Sequence, residues 1–144
     1  MIGLIQRVAH ASVVVDGEEV GAVERGLLLL LGVQKDDGEA EAMKLLNKVV
    51  NYRVFGDDNG HMNLSLKDIG GELLVVSQFT LAADTKKGLR PSFSSAAPPE
   101  EAERLYDFFV EKALAECPVA TGRFGADMKV SLMNDGPVTF TLTT

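Results

Sequence analysis

Apolar and polar residues alternate loosely from Met1 to Val8, as they do in a strand with one buried face. Ala11–Val15 and Glu19–Val23 flank Asp16-Gly17, a pair that suits the positive φ angles of a tight hairpin turn. Gly26 to Val33 is apolar at almost every position, so this strand is predicted to be central and buried on both faces. Asp36-Asp37-Gly38-Glu39 then opens a helix, its acidic start favoured by the N-terminal dipole. Ala42, Leu45, Leu46, Val49 and Val50 recur at helical spacing and give it one apolar face.

Tyr52 to Phe55 reads as a short strand ended by the turn Gly56–Gly60, and Glu72 to Phe79 as the next strong strand. Ala82 to Pro98 is rich in Gly, Pro, Ser and Lys. A loop this long in a compact domain is usually functional or disordered. Pro99 suits the first turn of a second helix, with Ala102, Leu105, Phe109 and Ala113 as its buried stripe and Cys117-Pro118 as its end. Val119 to Thr143 reads as two or three strands, joined by Gly125 and by a turn at Asn134-Asp135-Gly136-Pro137. The order predicts a single α+β domain over residues 1–144: a largely antiparallel, barrel-like sheet with two main helices.

Composition narrows this further. The chain has 144 residues, 46% of them hydrophobic, which is enough for a core. No apolar run approaches the roughly 20 residues that cross a membrane, and no signal-peptide pattern opens the sequence. Cys117 is the only cysteine, so no intrachain disulfide is expected and a cytoplasmic location is the default. The formal net charge of −7 argues against a protein that coats nucleic acid, while leaving room for contact with one nucleotide end. Lys86, Lys87 and Arg90 cluster in a Gly-containing loop, either as solvated charge or as a local contact.

His10 and His61 stand alone, with no carboxylate or thiol at metal-ligand spacing, and no phosphate-cradling glycine motif is present. Ser77-Gln78-Phe79-Thr80 closes an apolar strand with polar groups. Ser77 or Thr80 could be a nucleophile, which needs a base within reach. The run could be a strand end bonded to local backbone. It could also offer backbone N–H groups to a developing oxyanion, which suits an activated ester. Asn134-Asp135-Gly136-Pro137 is either an ordinary turn or a place where carbonyls are held in fixed directions. Arg7 sits in an apolar strand, where its guanidinium needs acceptors such as the carbonyls of a turn.

Ser77-Gln78-Phe79-Thr80-Leu81-Ala82-Ala83-Asp84 and Asn134-Asp135-Gly136-Pro137-Val138-Thr139 resemble the two signature motifs of the D-aminoacyl-tRNA deacylases. Met1–Val8, Gly88–Ser94 and Thr121–Met128 are similar to that family too. The resemblance implies a cytoplasmic homodimer, with no metal or organic cofactor, that hydrolyses the ester joining a D-amino acid or glycine to the 3′ end of tRNA. It implies that Gly136-Pro137 is cis, is held by Arg7, and enters the other subunit's pocket to exclude an L side chain. It implies oxyanion-stabilising backbone at Phe79 and Thr80. Ser77, Gln78, Ala102, Phe124 and Met128 would line the pocket for the terminal adenosine and the aminoacyl group. A Ser/Thr-nucleophile esterase and a noncatalytic small-molecule-binding dimer are the competing readings.

Overall fold

In the computed structural model, which describes residues 1–144, the N-terminal alternation forms one strand, β1, running Ile2–Val15. Asp16 and Gly17, at φ 50° and 78°, turn it into β2, Glu18–Val23. There follow β3 (Gly26–Gly32), α1 (Glu39–Asn51), the small hairpin β4 (Phe55–Gly56) and β5 (Met62–Leu64), and α2 (Leu66–Ile69). Next come β6 (Glu72–Ser77), a 3-10 turn (Phe79–Ala82), α3 (Pro99–Leu114), β7 (Val119–Thr121) and β8 (Lys129–Thr143).

Strand β1 organises the sheet. It pairs antiparallel with β2 and β3, and β8 pairs with it antiparallel from Ile2 to Val14. The pairings of β3 with β6 and of β6 with β7 are parallel, so the sheet is mixed where the sequence predicted it to be largely antiparallel. The physical reason lies in the connections. A parallel pair needs a crossover of a dozen or more residues, usually helical. The segments carrying α1 and α3 are such crossovers. The unbroken apolar runs of β3 and β6 are what parallel strands covered on both faces require. β7 returns beside β2, where a Cβ on Gly21 would clash with the Thr121 carbonyl oxygen; the sheet curls nearly into a barrel.

Two apolar clusters form, and β1 serves both. Ile5 belongs to the larger one, with Leu45 and Val49 of α1 and Leu105 and Phe109 of α3. Val8 and Val13 belong to the smaller one, inside the curl, with Val23, Leu28 and Val76. Ile5 and Val8 are three apart, so a period-two strand points them to opposite faces and into different clusters. Val8 and Val13 are five apart yet share a cluster, so the phase of β1 changes between them, where the β1–β8 register shifts between Val8 and His10.

Helix α2 is an element the hydrophobic pattern did not predict. It is fixed at its ends: Ser65 Oγ accepts from Asp68 N at 3.1 Å, Asp68 Oδ2 accepts from Ser65 N at 2.8 Å, and Gly70 closes it at φ 62°. Helix α3 ties to the sheet through Tyr106, whose buried hydroxyl donates to the Val75 carbonyl at 2.8 Å. Burial, with Asp107 adding to it, pushes that phenol up to about 12. The folded chain holds a proton that the unfolded chain releases near pH 10.0, so this contribution is full below that pH and is lost as pH rises to about 12. Tyr106→Phe should cost about 0.5–1.5 kcal/mol at neutral pH. Urea denaturation with an unchanged slope checks this; no loss would mean that the Gly122 N–H, which shares the same carbonyl at 3.3 Å, suffices.

Candidate active site

β6 leaves the sheet at Ser77, and the Gln78 N–H makes a last bond to the Leu31 carbonyl at 2.8 Å. The chain then winds into the 3-10 turn. Gly32 makes room for it: a Cβ there would stand 3.0 Å from Leu81 Cβ and 3.2 Å from the Gln78 oxygen. The turn's bonds run from Leu81 N to the Gln78 oxygen and from Ala83 N to the Thr80 oxygen, both 3.1 Å. The N–H groups of Phe79 and Thr80 come before the first of these, as the opening donors of any helical turn do, and no group of the chain accepts from them. The Thr80 hydroxyl accepts from the Gln78 amide nitrogen, so its side-chain partner is an amide and not a base.

Beside this turn lies a cavity of about 460 Å³. Val76, Ser77, Gln78 and Phe79 form one wall; Ala97, Pro99 and Ala102 form another at the start of α3. Phe124 to Met128, with Val130, close the third side. Phe124 rests on Tyr106, ring centroids 5.9 Å apart, and Met128 folds back so that its sulfur accepts from the Arg123 N–H at 3.4 Å. Asp127 is the one lining residue that ionises, and it is exposed and paired with Lys129 at 3.1 Å. The cavity therefore has apolar walls and polar groups that come mainly from backbone and from Ser77 and Gln78. It carries no histidine, cysteine or lysine to activate a hydroxyl. His10 and His61 are both exposed, and no three His, Cys, Asp or Glu side chains are grouped to hold a metal.

Six of the sequence-predicted residues meet at this cavity: Ser77, Gln78, Phe79, Ala102, Phe124 and Met128. Thr80 follows in the same turn. Val76, Ala97, Pro99, Gly125, Ala126, Asp127 and Val130 also line it and were not singled out from the sequence. Pro99 was read only as a helix start, and Gly125, at φ 75°, as a strand joint within the family-like segment Thr121–Met128. Arg7, Gly136 and Pro137 are not among the lining residues.

Those three form a second construction. In the register of β1 with β8, Val8 faces Asn134 and Gln6 faces Thr139. Arg7 alone therefore stands opposite Asp135, Gly136, Pro137 and Val138. The expected turn between two strands is instead a wide bulge, because the chain on either side stays paired with β1 and does not reverse. The Gly136–Pro137 bond is cis, Gly136 has φ 149°, and both residues are exposed while Val138 is buried. Arg7 holds the bulge, its Nε donating to the Asp135 carbonyl at 2.8 Å and its Nη1 to the Val54 carbonyl at 2.7 Å. Asn134 closes it from within: its Oδ1 accepts from Val138 N at 2.7 Å and its Nδ2 donates to Thr139 Oγ1 at 2.9 Å.

The chain is 66% identical to the D-aminoacyl-tRNA deacylase of Hahella chejuensis over 143 residues, covering 99% of this chain and 98% of that protein. It is also 66% identical to the D-aminoacyl-tRNA deacylase of Aeromonas hydrophila, with 99% of each covered. Among solved structures, one titled c-Myc DNA Unwinding Element Binding Protein superposes with a TM-score of 0.95 at 42% identity, over 100% of this chain and 99% of that one. A probable eukaryotic D-amino acid tRNA deacylase shares the fold, with a TM-score of 0.81 at 16% identity over 99% and 98% of the two chains. Matched over residues 4–143 by the family D-Tyr-tRNA(Tyr) deacylase, and alike over its whole length to hydrolases of this kind, the chain belongs to that family and is an enzyme of the D-aminoacyl-tRNA deacylase type.

Proposed function

We propose that the chain hydrolyses the ester of D-aminoacyl-tRNA by backbone oxyanion stabilisation at Phe79 and Thr80, and rejects L-esters through a Gly136-Pro137 bulge supplied by a second copy of itself. The observation that carries the first half is the pair of uncommitted N–H groups that open the turn beside the apolar cavity, Phe79 being one of its lining residues. Donors fixed where negative charge develops are worth about 10²–10³ in rate, and they need no unusual side-chain pKa. An aminoacyl ester is already reactive, so positioning and oxyanion stabilisation suffice. Water is the nucleophile, with the terminal ribose 2′-hydroxyl available to assist it. The adenosine and the aminoacyl group occupy the space lined by Ser77, Gln78, Ala102, Phe124 and Met128.

What supports the second half is separation. The bulge is exposed and does not line the cavity of its own chain, so it can act on substrate only from a partner's side. A homodimer completes the site on this reading, and glycyl-tRNA enters because glycine has no side chain to clash. Sedimentation at assay concentration should show a dimer; a fully active monomer would rule out cross-subunit completion.

Deacylation of matched D- and L-tyrosyl-tRNA tests the whole reading, and hydrolysis of neither, or of both alike, would sink it. Thr80→Ala separates the backbone mechanism from a hydroxyl nucleophile. It keeps the N–H and removes only the hydroxyl that Gln78 engages. The variant should retain activity within about tenfold, whereas loss of an essential nucleophile costs about 10⁶ in kcat. Near-total loss in a folded, substrate-binding variant would establish the nucleophile instead.

A further inference from the structure

The segment after the 3-10 turn is a tied loop. Asp84 N donates to the Ser92 oxygen at 2.7 Å and Ser92 N to the Asp84 oxygen at 3.0 Å, closing it at the base. Asp84 Oδ1 accepts from Lys86 N at 2.9 Å, and Gly88 turns the tip at φ 68°. Lys86, Lys87 and Arg90 project from it, all exposed, and none of them forms an ion pair. In a chain of net charge −7, this places three uncompensated cations within five positions. The loop is also joined to the site. Phe93, next to its base, packs against Phe79 with ring centroids 5.1 Å apart and ring planes tilted by 50°, and both rings are exposed.

We propose that this loop holds the phosphates of the single-stranded 3′ end of tRNA next to the aminoacylated nucleotide. Lys86, Lys87 and Arg90 neutralise them, and the Phe79–Phe93 pair offers a face on which an adjoining base stacks. The inference rests on the proposed tRNA substrate and adds to it the part of the RNA beyond the terminal nucleoside. Three features point to a polyanion and not to an acidic patch of a protein. The cations are closely spaced along one short loop, the loop carries exposed Phe93 just past its base, and Phe93 contacts Phe79 of the cavity wall. Alternating charge and stacking surface is how single-stranded nucleic acid is gripped without sequence preference.

The test compares the wild type with the combined variant Lys86→Ser, Lys87→Ser, Arg90→Ser. Binding of deacylated tRNA is measured as a function of salt, which requires no turnover. Each phosphate neutralised on a single strand contributes about 0.7 to the slope of log affinity against log salt, so the variant's slope should be shallower by about 2. Between about 50 mM and about 200 mM salt the wild type should then lose about 20-fold more affinity than the variant. The wild-type slope itself should fall well short of that of proteins making about 6–10 phosphate contacts. Turnover is measured in parallel on D-tyrosyl-tRNA and on the D-tyrosyl ester of adenosine, which carries no phosphate. The fall in kcat/KM on tRNA should exceed any change on the small ester by at least about tenfold at low salt. A variant that keeps the wild-type slope overturns the proposal, as does one that loses activity equally on both substrates or sediments as a different oligomer. A wild type that binds tRNA with the expected slope yet hydrolyses neither ester would refute the proposed function and leave the loop assignment standing.

Discussion

Given equal amounts of D- and L-tyrosyl-tRNA, the wild-type enzyme should clear the first and spare the second by at least about 100-fold in kcat/KM. D and L esters differ only in which α-carbon substituent, hydrogen or side chain, points in a given direction. A pocket whose polar contacts come from backbone cannot tell them apart by attraction. It can do so by filling the space that the L side chain needs, which is discrimination by exclusion. Pushing extra atoms into filled space costs about 1–3 kcal/mol where side chains can yield. Carbonyls of a braced bulge cannot rotate away, so the upper end applies, close to two factors of ten at about 1.4 kcal/mol each. Glycyl-tRNA should be hydrolysed with the D-ester.

Gly136→Ala is the matching perturbation. Its Cβ would stand 2.6 Å from Val138 Cγ2 and 2.8 Å from Val138 N, and φ 149° is a conformation that alanine rarely adopts. The bulge must move, and the D-to-L ratio should fall at least about tenfold while the cavity lined by Ser77, Gln78 and Phe79 is left alone. Steady-state kinetics on both esters reads this. An unchanged ratio in a folded variant would show that Gly136 has no part in selection.

The two halves of this site were unequally legible in the sequence. The cavity wall at Ser77–Phe79 could be placed because a buried strand must end where polar residues begin, and the three residues sit at that edge. Ala102 lies on the apolar stripe of α3, so its inward direction was readable from spacing, although its use as a wall was not. The bulge was legible as Gly-Pro chemistry but misread in topology. A turn and a wide bulge use the same residues, and only the partner strand distinguishes them. That partner is β1, more than a hundred positions earlier, whose own change of phase between Val8 and Val13 was the available clue. The parallel pairs were missed for a related reason. Periodicity shows that β3 and β6 are buried on both faces, but not which way each runs. Direction was implied by the long helical crossovers between them. Helix α2 is four residues long, too short for any apolar period, and it is written in its caps alone.

Arg7 is where β1 and the bulge are joined, and removing it should separate stability from selection. Its side chain is only 17% exposed, and it donates to two carbonyls that lie far apart in sequence, at Asp135 and Val54. Val54 is buried, so Arg7→Ala leaves one acceptor without a partner and one exposed bulge without its brace. Hydrogen bonds from a charged donor are each worth about 1.5–3 kcal/mol, and part of the Asp135 bond is recoverable by water; a total loss of about 2–4 kcal/mol is expected. Arg7→Lys should recover at most half of this. Its single ammonium cannot reproduce a planar fork whose Nε and Nη1 point at different oxygens. The Asp135 carboxylate, 3.9 Å from Nε and largely exposed, adds little to either variant. Denaturant unfolding gives the stability term. The functional term is the ratio of D- to L-ester hydrolysis, measured at a temperature where both variants remain folded. If Arg7 positions the bulge, that ratio should fall at least about tenfold in Arg7→Ala and stay low in Arg7→Lys, even under conditions where the lysine variant is nearly as stable as the wild type. An Arg7→Ala enzyme that is destabilised by the expected amount but keeps the wild-type ratio would make the arginine a structural clamp only, and the bulge would have to be positioned by Asn134 and its bonds to Val138 and Thr139.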